Sequence, residues 1–490
     1  MPYTWNEVMK ARIEANRPLT DLEFFARELT DWLNSSKRKE MLDGNRYYDG
    51  DHDILQRKRM VIGEKGDQVE AKHLPNNKLV DNQYAKYVDQ KKNYLLGKPI
   101  TFDCANENYA KELKEVFGKK FMRTIKNAGC DAINSGISWL YPHYDRDGKL
   151  VFRMYNGFDI LPFWTDVAHT ELDCACRVYF VEMYTGKELK IVQKVDIFKP
   201  DALYTYIFEN GVLTPDTDTP KSYYITVKDK KGEHGYAWNK LPLIPIKFNA
   251  REIPLIRRVK SLQDAINMLL SDFENNMQQD VHTTVLVLQN YDGTDLGEFR
   301  RNLAVYGVIK VRSTEGIPGG VDTLTIEVNA ENYKTVLALL KKALIENARG
   351  YDAKDDRMGG NPNQMNIRSM YSDIDLDAND QETELQASFE DMLWFVNQYL
   401  ANTGGGSYDK EEITVIFDRD ILINESEAID NCAKSVGIIS NKTIVSMHPF
   451  TADPAAEMKQ IEEERTATDD PYRAAYERMH AAPVTTHEEQ

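Results

Sequence analysis

The sequence predicts an α+β fold assembled from several units, on three observations. At 490 residues the chain exceeds what one hydrophobic core serves. Residues 101–250 read as short strand-like runs joined by turn sequences. After residue 255, long amphipathic helices take over, and two of them bracket a small β-rich module. A hydrophobic content of 42% and a charged content of 28% are those of a folded chain. No apolar run approaches the ~20 residues of a membrane span. Met1-Pro2-Tyr3 opens without a basic-then-apolar leader, which predicts synthesis in the cytoplasm.

Taken in order, residues 1–50 read as helical, with Leu22, Phe25, Leu29 and Trp32/Leu33 near a 3.6 period. Residues 43–75 turn polar and Gly-rich and predict an exposed loop. In 76–100, Leu79, Tyr84, Tyr87/Val88, Lys91 and Tyr94/Leu95 fit one helix face, and Gly97 and Pro99 stop that helix. Strands are expected at 150–155, 176–184, 191–198, 203–208, 223–227 and 244–248, joined by turns such as Asp145-Arg146-Asp147-Gly148. A helix over 255–282 carries Leu262, Ile266, Leu269/Leu270, Phe273 and Met277 as its stripe. Strand-rich, Gly-punctuated sequence follows to 328. A second helix over 330–349 carries Tyr333, Val336/Leu337, Leu340 and Leu344. Two such helices bury little alone, so their stripes need each other or neighbouring subunits. Residues 351–370 lose periodicity and predict a long loop. A helix over 377–402 with Leu385, Phe389, Met392/Leu393 and Val396, a strand at 413–417, short helices to about 465 and a loose tail complete the chain.

Charge and motifs remove whole classes of function. The net charge is −17, from 78 acidic and 61 basic residues. A module that grips DNA by neutralising phosphates is basic, so this is not one. A conduit is compatible, because DNA that slides must not stick. The sequence has no complete phosphate loop, G-x-S-x-G or HExxH, so neither an enzyme nor a packaging ATPase is expected. No cofactor is expected. Five scattered cysteines predict reduced thiols. Cys174 and Cys176 share a strand face near His169, but no second ligand pair follows at zinc spacing. Acids at Asp373, Asp375, Asp377 and Glu384 match positions of a calcium loop, yet Ala378 stands where its turn needs Gly. They read equally well as a helix's N-terminal turn. Gly359-Gly360 lacks a phosphate-loop context, so no metal or nucleotide is assigned.

Several segments, in order and spacing over residues 40–465, resemble portal proteins, the head-to-tail connectors of tailed double-stranded DNA bacteriophages, in the group found in long-tailed phages of Gram-positive bacteria. They are Asn93-Tyr94-Leu95-Leu96-Gly97-Lys98-Pro99-Ile100, the helix–β module–helix with Asp272-Phe273-Glu274-Asn275-Asn276 and Val285-Leu286-Val287, Gln364-Met365-Asn366-Ile367-Arg368-Ser369-Met370-Tyr371, and Gly437-Ile438-Ile439-Ser440-Asn441-Lys442-Thr443 before an acidic helix. The resemblance implies the portal fold: an α+β wing at 1–254, a two-helix stem at 255–283 and 327–350, a small β-rich clip at 284–326, a tunnel loop at 351–368, a long wing helix and strand at 369–419, a helical crown at 420–466 and a flexible tail at 467–490.

Stem packing then falls to Leu262, Ile266, Leu269, Phe273, Tyr333, Leu337, Leu340 and Leu344. The loop cations Lys354, Arg357 and Arg368 become the residues expected to face DNA. The resemblance further implies a homo-oligomeric ring of twelve subunits at the capsid's portal vertex in the virion. Duplex DNA would pass its lumen during packaging and ejection. The terminase packaging motor, head-completion or adaptor proteins, and major capsid and scaffolding proteins would be its partners, with no membrane. The alternative is a capsid or tail structural protein without a DNA channel.

Overall fold

A computed structural model describes residues 20–62, 67–70, 72, 74–229, 232–280, 284–289, 320–325, 330–352, 364–419, 424–451 and 454–468. The chain divides into two compact units: 1–350 with 373–420, and 351–372 with 421–490.

The first unit opens with helices α1 (Asp21–Leu33) and α2 (Ser36–Tyr48). Thr20 and Glu23 form a reciprocal capping box at the start of α1, which fixes that boundary. α3 (Gln83–Leu96), α4 (Glu107–Val116) and α5 (Lys119–Ser135) follow. An antiparallel sheet then runs in the order 212–215, 203–209, 188–198, 172–185, 160–164. α1 covers one face of it, packing Phe24, Phe25, Leu29 and Trp32 against Phe163, Cys174, Cys176, Val178 and Ile197. A three-stranded sheet of 244–247, 137–144 and 150–155 lies in the main core with Trp139, Tyr84, Tyr87, Phe389 and Phe395.

Two helices, α6 (Ile256–Asp280) and α7 (Ala330–Ala348), flank the antiparallel pair 284–289 and 320–325. The long α8 (Gln364–Thr403) follows, and its residues from 373 belong to the first unit. Strand Ile413–Ile416 then returns to pair antiparallel with Thr101–Cys104. The second unit holds α9 (Glu425–Lys434), α10 (Asn441–Met447) and α11 (Pro454–Thr468). No residue of α9 or α10 is buried, and Val436, Ile438, Met447 and Phe450 are exposed.

Three expectations are corrected. Residues 76–82, read as the start of a helix, are extended, and α3 begins only at Gln83 behind the Asn82 cap, whose side chain accepts from the Ala85 N–H. Strand Ile137–Tyr144 goes unpredicted because it contains Pro142. Pro142 lies past the end of the 244–247 pairing, where one edge is open and a missing N–H costs little. α8 begins thirteen residues before the expected 377, so Asp373–Glu384 lies in mid-helix. Neither the calcium loop nor the first-turn reading of those acids survives.

Candidate functional site

The site grows from the two helices that carry the β module. α6 and α7 lie against each other, with the Phe273 and Tyr333 rings 5.0 Å apart and Asn276 Nδ2 donating to the Tyr333 hydroxyl at 2.9 Å. Of the expected packing residues, Ile266 and Leu344 are fully buried, and Leu262, Leu269, Phe273, Tyr333, Leu337 and Leu340 are half-buried. Met268, Met277, Val336 and Leu339 stay 44%, 48%, 45% and 62% exposed. Met277 and Val336 belong to the expected stripes, so a single chain covers those stripes only in part.

A second face of α6 was not foreseen. Gln263, Asn267, Ser271 and Asn275 recur every fourth residue, and all are fully buried. They hold the extended segment 76–82 by its backbone, like rungs. The N–H groups of Asn77, Leu79, Asp81 and Tyr84 donate to Asn275 Oδ1, Ser271 Oγ, Asn267 Oδ1 and Gln263 Oε1 at 2.7–3.0 Å. Gln263 Nε2 returns a bond to the Asp81 carbonyl at 2.7 Å. The match is metric over the first three rungs: four helical residues rise about 6 Å and two extended residues about 6.6 Å, so the alternate amides of Asn77, Leu79 and Asp81 meet successive rungs. The fourth rung takes the Tyr84 N–H on the first turn of α3. The ion pair Lys341–Asp81 at 2.7 Å ties the strap to α7 as well, and Arg57, whose carbonyl accepts from Asn76 Nδ2 at 3.1 Å, pairs with Asp272 of α6 at 2.7 Å. The i+4 polar repeat was the available signal, but an apolar periodicity search passes over it.

At the other end of α7 three cations converge on one carboxylate. Asp377 of α8 accepts from Lys91 Nζ at 2.8 Å, from Arg258 Nη1 at 2.8 and 3.0 Å, and from Arg349 Nη1 at 2.8 Å. Lys91 also donates to the Arg349 carbonyl at 3.0 Å. The Lys91 and Asp377 side chains are 3% and 2% exposed. Burial pushes the Lys91 ammonium down to about 8 against the pull of Asp377. Burial alone would raise Asp377, but Lys91 and Arg258 outweigh it and hold the carboxyl below its ordinary value. α7 ends with Arg349 in the left-handed region, φ +48°. Gly350 follows so close to Tyr87 that a Cβ would sit 2.3 Å from its ring. The node thus joins α3, the start of α6, the end of α7 and α8. It pins the chain on both sides of segment 351–372. Beside it, Asp375 accepts from the Tyr94 hydroxyl at 2.6 Å and pairs with Arg419, which also reaches Glu382. These acids are occupied by protein cations.

The expected DNA-facing residues divide. Lys354 and Arg357 lie outside the described residues. Arg368 is not in a loop: it sits exposed on the second turn of α8. The loop reading failed there because the polar, Gly-rich run before Gln364 was carried on to 370, over an apolar stripe of Ile367, Met370, Tyr371 and Ile374 at helical spacing. Cys174 and Cys176 face the second core, where burial pushes both thiols up. His169 turns instead to Glu252, with Nδ1 2.6 Å from Oε1, and stacks on Trp164. Among the described residues no three metal-ligating side chains converge.

A family model for phage portal proteins, SPP1 Gp6-like, matches residues 34–470. The portal protein of Bacillus phage SPP1 is 28% identical over 439 residues, covering 88% of this chain and 85% of that protein. The portal protein of Clostridium phage phiCD119 is 27% identical over 446 residues, covering 88% of this chain and 94% of that protein. Two solved structures, the virion of a native gene transfer agent particle and the neck of that particle computed with C12 symmetry, give TM-scores of 0.35 and 0.36. Their identities are 12% and 13%, over 74% of this chain and 87% and 88% of those chains.

Proposed function

The chain belongs to the SPP1 Gp6-like family of phage portal proteins, and from that premise we propose that it assembles into a closed ring through which the genome is packaged and ejected. In this reading α6 and α7 are the stem, and 284–326 the clip on which the packaging motor and later the head-completion proteins dock. The first unit's sheets are the wing and α9–α11 the crown. The exposed Met268, Met277, Val336 and Leu339 fit contacts with neighbouring stems, as in a head-to-tail interface that closes on itself. The acidic balance of the chain fits a lumen along which phosphates slide rather than stick.

The observation that carries the reading is the Asp377 node. By holding Arg349 on one side and α8 on the other, it fixes both ends of segment 351–372 relative to the stem. In this reading Lys354 and Arg357, the expected tunnel-loop cations, and Arg368 on α8 recur around the ring axis. Each phosphate contact is weak and salt-sensitive, so a ring of them steers DNA without holding it.

The test replaces Arg357 and Arg368 together by Ala. Ring assembly should persist, because Arg368 is exposed and neither residue belongs to the stem stripes. The DNA content per particle should fall. Normal DNA content in particles carrying both changes removes these residues from the mechanism, and loss of assembly makes their role structural.

A further inference from the structure

The first turns of α5 break two local rules at once. Residues 111–126 contain six Lys or Arg and two Glu, in a chain of net charge −17. Lys119, Lys120 and Arg123 are exposed and Lys126 is half-buried. Lys119 and Lys120 stand in the first helical turn with no acid, where positive charge opposes the helix dipole. Lys119 and Arg123 are like charges at i,i+4, and Lys126 continues their face. The opposite face is fixed in the core by Phe121, Ile125, Ala128 and Ala132.

None of these four cations has an acid partner among the described residues; of the cations around them, Lys149 has one, pairing with Glu115 at 3.1 Å. Arg123 and Lys126 join Lys98 around a hollow of about 270 Å³ that no acidic residue lines. A neighbouring hollow of about 440 Å³ shares Arg123 and adds Lys119, Lys120 and Lys149. Its two acids are engaged, Glu115 by Lys149 and Asp145 by the Asp147 and Lys149 amides at 2.9 Å. A sequence that breaks local rules without an internal gain marks a functional surface.

We propose that this face of α5 is a contact surface for the phosphate backbone of duplex DNA, separate from segment 351–368. The proposal rests on the portal reading, which places packaged duplex against the ring. Duplex DNA is favoured over an acidic protein because three of the four cations are lysines. These are flexible point charges suited to a uniform polyanion rather than to the bidentate pairing of a defined partner.

The experiment uses the full-length protein in its assembled form and relaxed closed-circular plasmid. A closed circle cannot thread a preformed ring, so binding reads the outer surface. Lys119→Gln, Lys120→Gln, Arg123→Gln and Lys126→Gln are combined in one variant. A charge-matched control combines Lys187→Gln, Lys190→Gln, Lys221→Gln and Lys459→Gln, all exposed. Binding is measured from 50 to 200 mM NaCl, and ring mass is measured in parallel.

The wild type and the control should bind with similar salt dependence. The α5 variant should lose at least about tenfold in affinity at low salt, with a log–log salt slope shallower by about 3–4. Equal binding by the α5 variant, an equal loss in the control, or no wild-type binding at 50 mM overturns the proposal. So does a patch that binds polyglutamate but not plasmid, which assigns it to an acidic protein. Intact rings with any of these results leave the portal reading standing, whereas failure of the wild type to form rings sinks that reading first.

Discussion

Replacing Asp377 by Ala leaves three cations around an empty carboxylate site, and the cost can be worked from their burial. Lys91 and Asp377 are 3% and 2% exposed, so their pair counts as buried. Removing one partner of such a pair costs about 3–5 kcal/mol. Arg258 and Arg349 are 27% and 40% exposed and can turn to water, so each adds less than about 1 kcal/mol. Lys91 limits the loss. Its folded pKa is already about 8, and without Asp377 it sheds its proton near neutrality at about 1.4 kcal/mol per unit. The expected loss is therefore about 3–5 kcal/mol, read by urea unfolding through the buried Trp139 and Trp238 of the same unit. Combining Asp377→Leu with Lys91→Met should recover more than half of it, because an apolar pair replaces the buried ions.

The pH dependence gives a second readout. Lys91 titrates near 8 when folded and near 10.5 when unfolded, so between these values the unfolded chain binds more protons. Its contribution to stability therefore rises with pH across that window, and Lys91→Met should remove the rise. An Asp377→Ala protein within about 1 kcal/mol of wild type would refute the node as an anchor.

The strap on α6 predicts that Gln263→Leu, which deprives the Tyr84 N–H and the Asp81 carbonyl of their partners, costs about 1–3 kcal/mol for each in urea unfolding; an unchanged midpoint would show that the rungs hold nothing. Asp131 is 5% exposed, and burial pushes its carboxyl up to about 7 despite the Gly157 N–H it accepts at 2.9 Å. A raised acid makes the folded state bind more protons between about 4 and 7, so its contribution falls as pH rises through that window. Asp131→Asn should flatten that decline, and parallel pH profiles for the two proteins would count against the assignment.

How far the fold was legible depended on whether its physics is periodic. Strand Leu150–Tyr155 was read to the residue, and helices α6 and α7 to within a few, because apolar repeats and turn residues announce them. The 76–82 strap was misread because the true helical spacing from Tyr84 onward was extended back to Leu79, while its real partners are side chains nearly two hundred residues away. The node was invisible for the same reason: Lys91, Arg258, Arg349 and Asp377 meet only through the tertiary fold. The early start of α8 was legible in the stripe Ile367, Met370, Tyr371 and Ile374, and was missed because the Gly359–Pro362 run before it was extended too far along the chain.

The central claim is a closed ring with a channel, and particle images of the assembled protein viewed down its symmetry axis test it most directly. The account predicts a closed ring, twelve subunits in the virion, with stems packed side by side around an opening wide enough for duplex DNA. Monomers or dimers under every salt condition, or a ring with no such opening, would contradict it.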